Sequence, residues 1–471
     1  MLYVGLGSSE DIGASCHYLK INDTGIMLDS GMDPEEEGVD ALPEFALIDK
    51  HPDWPLDHVL ITHAHHDHIG SLPVLVQRQP HVKVHMTKPT RRLVDILLPA
   101  SAKLQRRRVL EGSTTAAPLF TREQAEALSY VYLAHDLDTP FDLPGLDEDP
   151  EFFTEEPAQA TFYHAGHVLG AAGVFIEFEE DNEVRSLFYT SDTNLRKQTI
   201  HPGGDYPEGP IDILLLESTL GADPTAELTN RQEQERLLGE AIKRTLKRGG
   251  NVLLPVFALG RAQEIIALIG QFKDDGLIPA DTPVYTNGSM RAIADVYDKT
   301  RHISPRVDEE FEVYGVSQKR VPRNNDRLPA LMETPSIFVA ASGMLFERTL
   351  SNVLALRLME DEKNGIFFVG YAKEDSPAYL LHQARQKGAG TEVTINKLYG
   401  PKPVRAEVDK FRLSGHSHRR DLLKLVEQMK PKKVVLVHGE TPARDWMADN
   451  IRYFHPEIEV YSPKQGEAIT V

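Results

Sequence analysis

Residues 58–70, HVLITHAHHDHIG, place a run of histidines and one aspartate directly after an apolar stretch. The apolar part predicts a buried strand, and the HAHHDH part predicts a polar loop at its carboxyl end. Side chains alternate along an extended chain, so His63 and His65 point the same way. The turn that follows brings Asp67 and His68 to an adjacent position. Because imidazole and carboxylate ligands suit Zn²⁺, and also Mn²⁺ or Fe, the segment predicts ligand pairs for two neighbouring metal ions.

Two metal ions need further ligands from other segments, and strand ends are where distant segments converge. His66 is expected not to be a ligand. Asp29, in IMLDSG, is expected to ligate, to orient a ligand, or only to close an Asx-turn. Glu217 ends the apolar stretch IDILLL, where an unpaired buried carboxylate would be costly. Four more side chains follow or adjoin apolar stretches: His167 in AGHVLGAAG, Asp192 in FYTSDT, His416 in LSGHSH and His438 in VLVHGE.

The composition of the chain is that of an ordinary globular protein. Its 471 residues are 41% hydrophobic and 26% charged, which predicts two large domains or three smaller ones and argues against disorder. No stretch approaches the roughly 20 apolar residues of a membrane span, and the start MLYVGLGSSEDIG lacks the features of a signal peptide. The single cysteine, Cys16, excludes an internal disulfide framework and a CxxC zinc site. We therefore expect a cytoplasmic protein without membrane partners.

The net charge of −20 hides an asymmetry along the chain. Residues 121–160 hold eleven acidic residues and one basic residue, a local charge of −10. Residues 381–420 hold nine basic and three acidic residues, a local charge of +6. A polyanion responds to the local field, because salt screens charges beyond about 10 Å. The acidic total therefore does not exclude a nucleic-acid substrate, although on charge alone a solvated surface is the favoured explanation of the basic run.

The order of predicted elements suggests one domain inserted into another. The first part of the chain alternates short strands with polar loops, residues 88–130 are expected to be mostly helical, and residues 136–150 are expected to be a loop. After Gly221 buried strands alternate with helices, which predicts a mostly parallel sheet with helices on both faces. The first of these helices, over residues 228–248, has Thr229 as its expected N-cap.

The order and context of these segments resemble the metallo-β-lactamase superfamily and, within it, the β-CASP nucleases. Asp29 falls at the first motif, HAHHDH at the second, His167 at the third, Asp192 at the fourth, Glu217 at motif A, His416 at motif B and His438 at motif C. Three stretches resemble the inserted β-CASP domain: PVFALGRAQEI (255–265), FVAASGML (338–345) and FVGYAKEDS (368–376). The resemblance, to the compact prokaryotic type, implies an αββα sandwich formed by residues 1–221 and 412–471, with an α/β domain inserted at 222–411.

The resemblance also implies a role for each candidate residue. Two Zn²⁺ ions per chain are expected, with Mn²⁺ as the alternative: one ion held by His63, His65 and His167, the other by Asp67, His68 and His438, with Asp192 bridging. Asp29 is then expected to contact a metal ligand rather than an ion. Asp67 and Asp29 are both expected to contribute to catalysis. His416 is expected to be the general acid, positioned by Glu217. The implied reaction is hydrolysis of RNA by water activated between two metal ions, giving 5′-phosphate and 3′-hydroxyl ends.

Contacts to the substrate are expected at two kinds of place. Ser414 and Gly415 precede the expected acid, and Arg261 follows Gly260 at a strand-to-helix turn where a phosphate can meet backbone N–H groups. Two more residues open the helix after TNG: Ser289 and Arg291. The expected partner is single-stranded RNA in a cleft between the domains, and a homodimer is one expected assembly. No complete GxGxxG or GxxxxGK[ST] motif occurs, so no nucleotide cofactor is expected.

Several readings of the substrate stay open. His438 at motif C favours RNA, because the DNA-processing members of the family usually lack that histidine. Departures from the family pattern bear on substrate identity: motif B continues with Ser417-His418 where Ala-Asp is usual, and residues 346–348 and 374–377 also differ. The alternatives are a DNA nuclease, a hydrolase of small esters, thioesters or lactams, and an RNA-binding scaffold without activity.

Overall fold

The computed structural model describes residues 1–8, 11–145, 157–322 and 325–471. Residues 146–156 lie outside the described residues. They hold six of the eleven acidic residues of 121–160 and include the last part of the expected loop 136–150. Contacts divide the chain into two compact units. The first unit comprises Met1–Lys197, Gly203–Glu227 and His416–Val471, and the second comprises Gln198–Pro202 and Leu228–Gly415. The domain limits expected from the sequence stay a prediction.

The first unit contains 14 strands among the described residues. In chain order they are β1 Leu2–Gly7, β2 Cys16–Ile21, β3 Thr24–Leu28, β4 His58–Ile61, β5 Lys83–Thr87, β6 Tyr132–His135, β7 Phe141–Leu143, β8 Ala158–His164, β9 Ala172–Glu180, β10 Glu183–Tyr189, β11 Ile213–Glu217 and, after the second unit, β20 Lys433–Val437, β21 Glu459–Tyr461 and β22 Ala468–Thr470. The second unit supplies β12 Val252–Pro255, β13 Val284–Thr286, β14 Lys319–Arg320, β15 Ile337–Ala340, β16 Gly365–Phe368, β17 Glu392–Val393, β18 Lys402–Pro403 and β19 Glu407–Lys410.

The helices complete the element list. In the first unit they are α1 Ala46–Lys50, α2 His66–Ile69, α3 Leu72–Arg78, α4 Lys88–Leu110, α5 Arg122–Ala127, α12 Arg419–Met429 and α13 Thr441–Phe454. In the second unit they are α6 Arg231–Lys247, α7 Arg261–Asp274, α8 Gly288–Lys299, α9 Leu328–Leu331, α10 Leu350–Leu358 and α11 Pro377–Lys387.

The first unit is an αββα sandwich, as the resemblance implies. Its described strands form two seven-stranded sheets, in the orders β22-β1-β2-β3-β4-β5-β6 and β21-β20-β11-β10-β9-β8-β7. The core between the sheets contains Tyr3, Leu28 and Leu60 from one sheet and Phe162 and Val174 from the other. The outer face of the second sheet packs against α12 and α13, and α4 contacts β5 and β6 of the first sheet.

The second unit is built on a six-stranded sheet in the order β14-β13-β15-β12-β16-β19, in which every described ladder is parallel. The expected mostly parallel α/β architecture is therefore confirmed. Leu253 and Phe338 pack with residues of α10 and α11 on one face. Val252 and Leu254 are fully buried on the opposite face, because side chains alternate along a strand.

Two local expectations need correction. The helix predicted over 228–248 begins at Arg231, and its N-cap is Asn230, whose side chain accepts the N–H of Glu233. Thr229 lies one residue too early for that bond. Within the expected loop 136–150, residues Phe141–Leu143 form β7, because their backbone pairs with β8. No helix among the described residues is long and apolar enough to cross a membrane.

Candidate metal centre

The candidate ligands lie in loops at the carboxyl ends of strands in the first unit. His63 and His65 follow β4 directly, and α2 begins one residue later. Asp192 follows β10, and His438 follows β20. Because β10, β11 and β20 are parallel neighbours, their carboxyl ends meet at one edge of the sheet. The fold thus brings together side chains that are hundreds of residues apart in the sequence.

The first ligand group consists of His63, His65, His167 and Asp192. Nδ1 of His65 lies 3.1 Å from Nε2 of His63 and 3.2 Å from Nε2 of His167. Oδ2 of Asp192 lies 3.7 Å from Nε2 of His63 and 3.6 Å from Nε2 of His167. Ligands about 2.0–2.1 Å from a tetrahedral zinc ion are about 3.3 Å from one another. The spacing of these four atoms therefore fits one metal ion.

The second ligand group consists of Asp67, His68 and His438. Nε2 of His438 lies 3.8 Å from Oδ2 of Asp67. The Nε2 atoms of His68 and His438 are buried and have no hydrogen-bond partner among the described residues. Buried polar atoms are rarely left without a partner, so these two nitrogens fit a second metal ion.

Asp192 faces both groups through different oxygens. While Oδ2 faces the first group, Oδ1 lies 3.5 Å from Nε2 of His68 and 3.0 Å from Nδ1 of His438. Burial raises the pKa of Asp192, but the charges of His438 and His68 outweigh it and hold the pKa well below its ordinary value. The carboxylate is therefore ionised and suited to bridge two cations.

Asp29 lies behind the second group rather than in it. It adopts a left-handed backbone conformation with φ of 62°. Its Oδ1 accepts the backbone N–H of Thr62 at 2.8 Å, and its Oδ2 lies 2.8 Å from Nδ1 of His68. A proton on Nδ1 of His68 leaves Nε2 as the nitrogen that faces the centre. Of the roles left open by the sequence, the geometry favours orienting a ligand.

A third group joins Asp192, Glu217 and His416. Nδ1 of His416 lies 3.2 Å from Oε2 of Glu217, and Nε2 of His416 lies 4.0 Å from Oδ2 of Asp192. Glu217 is fully buried, and it also accepts the N–H of Thr193 at 2.7 Å and the hydroxyl of Thr219 at 2.6 Å. The buried carboxylate is thus fully partnered.

The histidines of the centre differ in charge. Burial and the neighbouring imidazole of His68 hold the pKa of His63 well below its ordinary value, which favours the neutral form that binds metal. Burial alone lowers the pKa of His416, but the charges of Glu217 and Asp192 outweigh it and raise the pKa to about 9. His416 therefore carries a proton at neutral pH, as a general acid requires.

Six further candidates are not members of the three ligand groups. His66 is exposed and belongs to none of the three groups. The five expected substrate contacts all belong to the second unit: Ser414, Gly415, Arg261, Ser289 and Arg291. Nη2 of Arg261 lies 3.4 Å from Oε1 of Gln198, and the guanidinium of Arg291 lies over the ring of Tyr314 at 5.1 Å.

Three hydroxyl groups that support the centre were missed by sequence reasoning. Thr62 and Tyr189 donate to Asp29 at 2.9 and 3.2 Å, and Thr219 donates to Glu217. Thr62 and Thr219 are next or nearly next to a predicted site residue, so their position was a usable signal. Tyr189 gave a weaker signal: it is the last residue of β10 and lies three residues before Asp192, but it is 160 residues from Asp29.

Comparison with known families gives three matches along the chain. Residues 10–186 match the metallo-beta-lactamase superfamily, residues 262–381 match the Beta-Casp domain, and residues 401–463 match the Zn-dependent metallo-hydrolase RNA specificity domain. Their order is that of one domain interrupted by another.

Individual relatives match over nearly the whole chain. The endoribonuclease YSH1 of Eremothecium gossypii is 30% identical over 99% of this chain and 59% of its own length. The transcription termination factor FttA of Methanocaldococcus jannaschii is 30% identical over 99% of this chain and 71% of its own length. An RNase J-like protein of the same archaeon is 29% identical over 92% of this chain and 91% of its own length. The chain thus spans about three fifths of the length of the Eremothecium gossypii relative.

A solved structure shares the fold. A protein of unknown function from Enterococcus faecalis aligns with a TM-score of 0.56 over 100% of this chain and 99% of its own, at 14% identity.

Proposed function

The chain belongs to the β-CASP ribonuclease family of the metallo-β-lactamase superfamily, and from that premise we propose that it is a metal-dependent ribonuclease. The reaction is hydrolysis of a phosphodiester bond in RNA to give 5′-phosphate and 3′-hydroxyl ends. The cleavage is endonucleolytic, with 5′-exonucleolytic cleavage as an additional activity.

One observation carries the proposal: a histidine paired with a buried carboxylate, His416 with Glu217, lies beside two ligand groups. Nε2 of His416 is 4.0 Å from the Asp192 carboxylate that faces both groups. A hydrolase of small esters with a good leaving group needs the metal groups alone. A phosphodiester between nucleotides has a poor leaving group, the 3′ oxygen, and a positioned acid lowers the barrier to its departure.

The ligand groups support an assignment of metal-binding residues. His63, His65 and His167 would hold one divalent ion, and Asp67, His68 and His438 would hold another. Asp192 faces both groups. Two divalent ions held there would lower the pKa of a water molecule and offset the negative charge of the phosphate. Zn²⁺ suits the imidazole-rich first group, and Mn²⁺ is accepted by the same ligands.

The protein's own side chains donate the proton and orient the reacting groups. The attacking water loses one proton to solvent and adds to phosphorus as the bond from phosphorus to the 3′ oxygen breaks. His416 gives its proton to that oxygen. Glu217 holds the imidazole through Nδ1 and stabilises its charged form, so the proton to be donated is on Nε2. Asp29 fixes the ring of His68. After the reaction His416 is neutral and regains its proton from solvent.

The proposal extends to the substrate and the setting of the protein. The substrate is single-stranded RNA, supported by the local charge of +6 over residues 381–420 and by the names of the relatives. We assign the metal centre to a discontinuous domain of residues 1–221 and 412–471, with 222–411 as the inserted domain. A cytoplasmic location and a homodimer complete the proposal.

A cleavage assay tests this function. Purified protein with Zn²⁺ or Mn²⁺ is given a 5′-labelled single-stranded RNA, and in parallel the same sequence as DNA, with Asp192→Ala as the control. Internal RNA fragments that are absent with Asp192→Ala support the proposal. Cleavage of the DNA alone, or turnover of small thioesters without RNA cleavage, would replace it with one of the alternative hydrolases.

A further inference from the structure

His416 occupies a special place in the chain. Residues Leu228–Gly415 belong to the second unit, and His416 is the first residue after the chain returns to the first unit. The residues directly before His416 therefore belong to the second unit and not to the unit that contains the metal centre. Within the first unit, His416 faces Glu217, Asp192 and the ring of His167, and Ser417 follows it in the chain.

Ser417 ties that returning segment to the loop that carries Asp192. Its backbone N–H donates to the carbonyl of Thr193 at 2.7 Å, and its hydroxyl oxygen accepts the N–H of Leu195 at 2.9 Å. The side chain is buried, with 1% of its surface exposed. The two bonds hold the residue next to the general acid against the two residues that follow Asp192.

These bonds close a ring around the acid. The N–H of Thr193 donates to Oε1 of Glu217, and Oε2 of Glu217 faces His416. Ser417 is next to His416 in the chain, and its hydrogen bonds to Thr193 and Leu195 complete the ring. The acid, its carboxylate partner and the Asp192 loop are thus linked through buried and partly buried hydrogen bonds.

A second link lies farther from the acid. Asp421, in the first turn of α12, accepts Nε of Arg196 at 2.6 Å. Half of the Arg196 side chain surface is exposed, so solvent competes for this pair. The buried Ser417 bonds are therefore the main link beside the reacting groups.

We propose that Ser417 is a positioning residue that fixes His416 relative to Asp192. This inference rests on the proposed function, because it assumes that His416 donates a proton to the leaving oxygen. Ser417 stands where the family usually has alanine, which can make the backbone bond to Thr193 but has no hydroxyl for Leu195. The departure from the family pattern thus has a physical role in this chain.

The test compares two substrates in the Ser417→Ala variant. One substrate is single-stranded RNA, whose leaving oxygen needs a proton. The other is the 4-nitrophenyl ester of thymidine 5′-phosphate, whose nitrophenolate leaves without one. We expect kcat on RNA to fall about 10- to 100-fold with KM nearly unchanged, and kcat on the ester to change less than about threefold.

Ser218→Ala is the matched control. Ser218 is also fully buried in the first unit, and its hydroxyl has no hydrogen-bond partner among the described residues. Metal content and the thermal unfolding midpoint are measured for both variants, because equal values exclude a general loss of structure. Ser417→Thr keeps a hydroxyl that can accept the N–H of Leu195. Its kcat on RNA should therefore exceed that of Ser417→Ala.

Each outcome decides the matter. RNA activity of Ser417→Ala equal to that of Ser218→Ala would overturn the inference. Equal losses on both substrates would also overturn it, because the serine would then support the metal centre as a whole. His416→Ala tests the proposed acid role itself. If His416→Ala lowers kcat on RNA and on the ester by the same factor, the proposed acid role is wrong, whatever Ser417→Ala shows.

Discussion

Glu217 and His416 form a partly buried pair, with Oε2 of the carboxylate 3.2 Å from Nδ1 of the imidazole. They are 199 residues apart in the sequence and meet because β11 ends beside the segment that precedes α12. The pair fixes which nitrogen of His416 faces Asp192, and it keeps that histidine protonated.

The first prediction concerns the pH dependence of Glu217→Gln. Activity requires protonated His416, so it is lost as pH rises through the pKa of that group. Glu217 raises this pKa, and glutamine can still accept the Nδ1 proton but carries no charge. The alkaline limb of kcat against pH should therefore move down by about one to two units. Exposed Glu427→Gln is the control, and an unmoved limb in Glu217→Gln would contradict the pairing.

The second prediction concerns metal retention in Asp29→Asn. The loss of charge behind His68 weakens its hold on a cation, and such changes typically cost about 10- to 100-fold in affinity. Dialysed protein should keep the ion of the first group and lose the other, as measured by elemental analysis. Exposed Asp142→Asn should keep both. Full retention in Asp29→Asn would show that the carboxylate does not support the second group.

The third prediction concerns the corrected helix cap. Asn230→Ala removes the acceptor for the N–H of Glu233 and should destabilise the second unit by about 1 kcal/mol. Thr229→Ala should cost less, because Thr229 lies outside the cap position. Thermal unfolding of the two variants measures the difference. A larger loss in Thr229→Ala would restore the cap that the sequence suggested.

The sequence predicted the elements of the fold better than the contacts between them. Apolar stretches such as 213–217 and 433–437 are visible locally, because burial requires hydrophobic runs, and each forms a strand. The order of the motifs supplied the ligand grouping through resemblance. The hydroxyl of Tyr189 on Asp29 and the bonds of Ser417 depend on how distant loops pack, and no local pattern encodes that. The cap at Asn230 was missed because Thr and Asn, both good caps, are adjacent.

The most direct test of the account is a metal titration of RNA cleavage. Metal-free protein is supplied with Zn²⁺ in steps, and cleavage of one single-stranded RNA is measured together with the chemistry of the product ends. We predict that the cleavage rate reaches its maximum near two ions per chain and that the products have 5′-phosphate and 3′-hydroxyl ends. Added metal should not restore cleavage in Asp192→Ala. Full activity in the metal-free protein, or in Asp192→Ala, would contradict it.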